Sequence, residues 1–155
     1  MLEYFHVGTA GLNIGDVLTP GSWGQDARAF GVRRAIETDR QAMNLIWEAS
    51  LESVRRQSFA LEVSRLDCVF ACLDEASARR FLQSFRQNPP HTVYRVRPVN
   101  PDTPVSIGDF NAITNPTPGS LVDIAVGISA GYWNVKKPVD PEVLIGGPVQ
   151  VVAVL

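Results

Sequence analysis

The chain ends on "EVLIGGPVQVVAVL", two apolar runs broken at Gly146-Gly147-Pro148. Both runs read as strands, and the opening "EYFHVG" reads the same way, so strands hold both ends of the chain. Between them the period changes. From about Asp39 to Phe59, Ala42, Leu45, Ile46, Ala49 and Val54 recur near a helical spacing, with Glu48, Glu52, Arg55 and Arg56 on other faces. Glu52 and Arg56 stand in the favourable order for a surface ion pair. "CVFACL" is a compact strand, and Asp74 then caps a helix carrying Ala78, Phe81, Leu82 and Phe85, which "NPP" at Asn88–Pro90 should end. "TVYRVRPV" sets Val93, Arg95 and Arg97 against Tyr94 and Val96, a strand with one wet face. "GLNIGDVLTPGSWG" predicts a loop or a weak hairpin arm. Asn100 to Gly119 predicts a long loop with a short strand near Val105, and Ser120 a cap for a helix through Leu121, Ile124, Ala125, Ile128 and Tyr132. This order implies an α+β fold with a mixed, largely antiparallel sheet, in place of a doubly wound parallel one.

Composition supports a single domain over residues 1–155, with 45% hydrophobic and 19% charged residues, enough for a packed core. No apolar run is long enough to span a bilayer, so no membrane partner is expected. "MLEYFHVG" has neither a basic n-region nor an apolar h-region, so a cytoplasmic location is expected. The net charge of −2 argues against a general nucleic-acid coat. The charge is uneven: residues 28–97 hold 12 of the 14 basic and 8 of the 16 acidic residues, and every basic residue there is Arg. Arg suits phosphate, although a run of helical Arg is equally the mark of a solvated face.

Several chemistries lack their residues. There is no P-loop, no G-x-G-x-x-G after a strand, no G-x-S-x-G elbow and no H-E-x-x-H. Two histidines and two cysteines do not make a structural zinc site. In a strand Cys68 and Cys72 stand roughly 13 Å apart, beyond the ~7 Å a disulfide tolerates, so both read as reduced core residues with no nearby charge to activate them. Two positions stand out. His6 lies in the aromatic strand "YFHVGT", and Glu142 is a lone carboxylate opening the apolar strand "PEVLIGG". A charge there is costly unless it sits at a wet strand end or in a site.

Taken in order, "YFHVGTAGLNIGDVLTPG", "SRLDCVFACLDEASARRFLQSF" and "PEVLIGGPVQVV" resemble the three motifs of the ADP-ribosyltransferase superfamily of the His-Tyr-Glu type. The likeness is closest to small bacterial members such as the rifampin ADP-ribosyltransferases and the DNA-modifying transferases of toxin–antitoxin pairs. It implies a split sheet with flanking helices and NAD as substrate. It implies that His6 bonds the adenosine ribose, that the backbone near Gly8 and Thr9 holds the nicotinamide amide, and that Phe70 and Phe81 stack on the nicotinamide ring. Glu142 would bond the nicotinamide-ribose 2′-hydroxyl, and Arg65 would meet a phosphate. The acceptor is left open between protein, nucleic acid and small molecule. Two departures stand beside the likeness: Val7 separates His6 from Gly8-Thr9, and Phe70 stands where the family carries Tyr. They keep a second reading open, a degenerate nucleotide- or protein-binding module without catalysis. An RNA 2′-phosphotransferase-like enzyme would want a second His and more basic residues over the site. A purely structural partner protein would have no pocket. Without the resemblance Phe70, Phe81 and the Tyr132-Trp133 pair read as packing, and Arg65 as half of an ion pair.

Overall fold

A computed structural model describes residues 2–85, 90–115 and 118–155, with the side chain of Val122 left aside. Seven strands and five helices follow in the order β1 (Tyr4–Thr9), β2 (Val17–Leu18), α1 (Ser22–Ala29), α2 (Asp39–Ser58), a 3₁₀ turn (Arg65–Asp67), β3 (Val69–Ala71), α3 (Glu75–Phe85), β4 (His91–Pro98), β5 (Val105–Asp109), α4 (Phe110–Thr114), α5 (Leu121–Trp133), β6 (Pro141–Ile145) and β7 (Val149–Val154). The fold is α+β, as expected, but the sheet is not mixed: every pairing between these strands is antiparallel.

The strands form two sheets, ordered β1-β4-β7-β2 and β3-β6-β5. The Gly146-Gly147-Pro148 break therefore carries the chain from the second sheet to the first. The sheets meet at one residue pair, where Phe5 and Cys72 exchange backbone hydrogen bonds of 3.0 and 2.8 Å. One core fills the space between them, with Tyr4, Tyr94, Val96 and Val151 from one side and Val69, Ala71, Val143 and Ile145 from the other. A second core lies on the outer face of the three-stranded sheet. There Leu51, Val54, Tyr132, Trp133 and Leu144 are buried, with Phe70 packed against them. Leu51 and Leu144 are fully buried, a contribution of about 1.5–3 kcal/mol each. α2 and α5 pack together over this core, and the Trp133 indole donates to the Leu51 carbonyl at 2.9 Å. α3 lies against β1 and β4, which explains why Val93 is fully buried although it shares a strand face with the exposed Arg95 and Arg97.

Several elements depart from the sequence reading. α1 and α4 form where loop was expected, and β2 is a two-residue arm on β7. Asp74 caps α3 as expected, accepting from the Ser77 amide at 2.7 Å, whereas Ser120 precedes α5 without a side-chain cap bond. The "NPP" stop falls partly outside the described residues. α2 has nearly its expected bounds, begun by Thr38 and Gln41, whose side chains cap each other's backbone. Its buried face is the expected one only in part, at Val54. Glu48, Leu51, Glu52 and Val54 point inward, while Ile46 and Ala49 are exposed.

The inward glutamates are held by partners both on α2 and beyond it. Glu52 accepts from Arg55 at 2.9 Å, from Arg56 at 2.7 Å and from the Ser64 hydroxyl at 2.9 Å. The expected Glu52–Arg56 pair thus exists, but Glu52 is buried within it. The Arg55 hydrogen bonds, against the cost of burial, hold the Glu52 carboxyl down to about 2, from an ordinary value of 4.5. A carboxylate depressed in the folded state stabilises fully above its unfolded value, and that contribution disappears as the pH falls through the folded one. Glu52→Gln should lower the unfolding free energy at neutral pH by on the order of 3 kcal/mol. It should also flatten the loss of stability between about 4.5 and about 2. Urea unfolding of both proteins across that range measures this; parallel pH profiles would refute it.

Candidate functional site

Arg65 opens the 3₁₀ turn before β3, and Ser64 caps that turn by accepting from the Leu66 amide at 3.2 Å. The turn aims the Arg65 side chain under the three-stranded sheet, where the residue is 7% exposed. A buried guanidinium needs several acceptors, and three elements supply them. From α2, Glu48 accepts from Nε and Nη2, at 3.1 and 2.9 Å. From α5, the Tyr132 hydroxyl accepts from Nη1 at 3.0 Å. From β6, Glu142 Oε2 pairs with the same nitrogen. The guanidinium carbon also sits 4.9 Å from the Phe70 ring centre and 5.2 Å from that of Tyr132, a cation–π arrangement. Burial disfavours the Arg65 charge, but Tyr132 and Glu48 outweigh it and hold the group protonated.

The Tyr132 hydroxyl in turn donates to Glu142 Oε2 at 2.5 Å. Its direction is forced, since Arg cannot accept and a carboxylate cannot donate. Burial pushes the Tyr132 phenol up, which keeps that proton in place. The ring reaches Glu142 because Gly108, the cross-strand partner of Glu142 on β5, has no side chain; a Cβ there would overlap the Tyr132 ring. Glu142 Oε1 makes no hydrogen bond among the described residues.

The structure therefore brings Arg65, Phe70 and Glu142 together. Arg65 has no free nitrogen for a phosphate: all three are engaged by Glu48, Tyr132 and Glu142, which corrects the phosphate role expected of it. Phe81 packs with Phe85 and Phe110, at ring distances of 5.2 and 5.8 Å, in a trio that joins α3 to α4. His6 lies elsewhere. It pairs across the strands with Tyr94, and both side chains face the core between the sheets. Glu142 alternates with Val143 and Ile145 of that core, so it faces the other way, with Leu144. His6 Nδ1 nevertheless donates to the Phe70 carbonyl at 2.7 Å, which fixes the proton on Nδ1. Its ring lies over Gly8, where a Cβ would come within 2.7 Å of Nε2, and the Thr9 carbonyl accepts from the Tyr94 hydroxyl at 3.0 Å. Glu48 and Tyr132 were missed by the sequence reading. The one signal was a glutamate at each of two successive helical turns, 48 and 52, beside an apolar stripe.

Other chemistries remain without a site. Burial pushes the Cys68 thiol up to about 12 and the Cys72 thiol up to about 11, and both cysteines are unbridged. Among the described residues no group of three or more His, Cys, Asp or Glu is placed to hold a metal ion, and no helix is long and apolar enough to cross a membrane. An open groove of about 580 Å³ runs between α4 and α5, walled by Asp109, Asn111, Asn115, Asp123 and Gly127.

A family model described as "Protein of unknown function (DUF2441)" matches residues 24–155. The chain belongs to this DUF2441 family. The matched segment contains Glu48, Arg65, Phe70, Gly108, Tyr132 and Glu142, while His6 precedes it. No curated protein matches the sequence.

Arg65→Met keeps the stem and removes the charge, leaving the buried Glu48 and the half-buried Glu142 without a counter-ion. It should cost about 3–5 kcal/mol of unfolding free energy. Arg28→Met removes the exposed pair with Asp67 and should cost less than about 1 kcal/mol. Chemical denaturation of the two variants tests this, and equal costs would show that the Arg65 cluster does not organise the fold.

Proposed function

We propose that the protein is an ADP-ribosyltransferase that moves ADP-ribose from NAD to an acceptor, with Glu142 as the catalytic carboxylate. The observation that carries the reading is the state of Glu142. One of its oxygens is fixed by Tyr132 and Arg65, and the other makes no hydrogen bond among the described residues. Two antiparallel sheets joined at the Phe5–Cys72 pair are compatible with the split sheet that the resemblance implies.

The chemistry asks little more of the protein. Breaking the bond between nicotinamide and its ribose builds positive charge on the sugar, as in glycoside cleavage. Nicotinamide leaves as a neutral base and needs no strong acid. A fixed carboxylate near the ribose 2′-hydroxyl would stabilise the oxocarbenium-like transition state more than the ground state. Phe70 would offer an apolar edge to the nicotinamide ring, and His6 would hold the adenosine ribose. The acceptor is a protein, a nucleic acid or a small molecule; acceptor choice rests with loops that vary freely on one fold.

Two observations favour a second reading, a binding module without catalysis. Arg65 is consumed by internal partners, and His6 and Glu142 face opposite sides of the three-stranded sheet.

Titration with NAD, followed by assay of nicotinamide release in water alone, separates the two. On the transferase reading the protein binds NAD and releases nicotinamide slowly. Glu142→Gln should leave binding within a few-fold and cut turnover by at least ~100-fold, the scale of one lost preorganised contact. His6→Ala should instead weaken binding, since its contact is equal in ground and transition states. NAD binding without nicotinamide release, whatever the acceptor, would leave the module; no NAD binding at all would sink the transferase reading and leave only a module for another nucleotide or a protein.

A further inference from the structure

We infer that Tyr132 is the positioning residue of Glu142: its hydroxyl fixes Oε2 and so presents Oε1 to a ligand hydroxyl. The inference rests on the transferase reading only for what that ligand is. Arg65 alone cannot fix the carboxylate, because its guanidinium is shared with Glu48 and pulls on Glu142 through a single nitrogen. A one-point ion pair leaves the carboxylate free to rotate about it. The second donor removes that freedom. The Tyr132 hydroxyl reaches the same Oε2 at 2.5 Å, a charge-assisted length, and it accepts from Arg65 at 3.0 Å, so the three groups close a triangle. Tyr132 is fully buried and the phenol end of its ring fills the space left by Gly108. That ring also packs edge-on against Trp133 at 4.8 Å, and the Trp133 indole is tied to the Leu51 carbonyl. The hydroxyl is thus held from behind by α5 and α2 and cannot follow a moving carboxylate.

Two measurements decide the inference. The first is a double-mutant cycle in unfolding, built from Tyr132→Phe, Glu142→Gln and the two combined. It needs no ligand. If the hydroxyl holds the carboxylate, the single losses should overlap, and the coupling should amount to roughly tenfold in the unfolding equilibrium constant. Losses that simply add would overturn the inference, whether or not the protein uses NAD. The second is steady-state nicotinamide release. Tyr132→Phe should leave the KM for NAD within about twofold and lower kcat about tenfold, since orientation is felt mainly in the transition state. Glu142→Asp keeps the charge but withdraws the carboxylate from Tyr132. It should lose kcat in the same way, and adding Tyr132→Phe to it should cost little more. Coupling in unfolding with an unchanged kcat would overturn the positioning role and leave a structural bond. A wild-type protein that releases no nicotinamide would remove the transferase reading, and the unfolding cycle would then decide alone whether Tyr132 orients Glu142.

Discussion

The buried charge of Arg65 is the constraint on which the rest of the arrangement depends. A guanidinium taken from water must find nearly all of its acceptors inside the protein. It finds them on α2, before it in the chain, and on α5 and β6, more than sixty residues after it. Each is thereby committed. α2 must turn Glu48 inward, α5 must bring Tyr132 over the sheet, and β5 must carry Gly108 where the phenol passes. The account of charge is also uneven. One guanidinium faces two carboxylates, and Glu48 takes the wider share of it. Glu142, at the wetter edge, is left with the weaker hold and the spare oxygen.

The two sheets place this cluster at the outer face of a thin layer. β6 and β7 follow each other in the chain but belong to different sheets, and the corner between them is tight. A Cβ on Gly147 would come within 2.9 Å of the Thr103 side chain, and one on Gly146 within 3.1 Å of Pro104. Small residues at the corner let the chain turn against the segment before β5. The sheets then pack face to face through a core of short branched residues, and the helices cover only the outer faces. Because the sheets are bridged by the isolated pair of Phe5 on β1 and Cys72 just after β3, the two halves can diverge beside it, and His6 bonds the Phe70 carbonyl at that point.

Local pattern carried the α+β class, the capped start of α3 and most strand positions, because alternation and caps are local signals. It failed where the answer is tertiary. α2 offers Ala42, Leu45, Ile46, Ala49 and Val54 as an apolar stripe, yet the helix turns Glu48 and Glu52 inward, because Arg55 on the same helix and Arg65 and Ser64 beyond it offset the cost of their burial. α4 is a five-residue helix begun by Asp109, whose carboxylate also accepts from the Val139 and Asp140 amides. No window of sequence shows that second duty. At the site, Glu142 stood out because a lone carboxylate in an apolar run is conspicuous. Glu48 lay hidden among ordinary helical charges, and Tyr132 looked like packing because it is packing as well.

The opposed directions of His6 and Glu142 set a condition on any dinucleotide that would use both. On the transferase reading the two residues serve different riboses, one at each side of the pyrophosphate, so they need not meet. They must, however, be reached by one molecule. A ligand lying wholly in the core between the sheets would meet Tyr94 and no carboxylate, and one lying wholly on the outer face would meet Phe70 and Glu142 but no histidine. The remaining path runs over the seam between the sheets, beside the isolated Phe5–Cys72 pair. His6 already reaches across that seam to the carbonyl of Phe70, whose ring touches the Arg65 guanidinium on the other side. Phe70 thus touches both halves, through its backbone carbonyl on one face and its ring on the other.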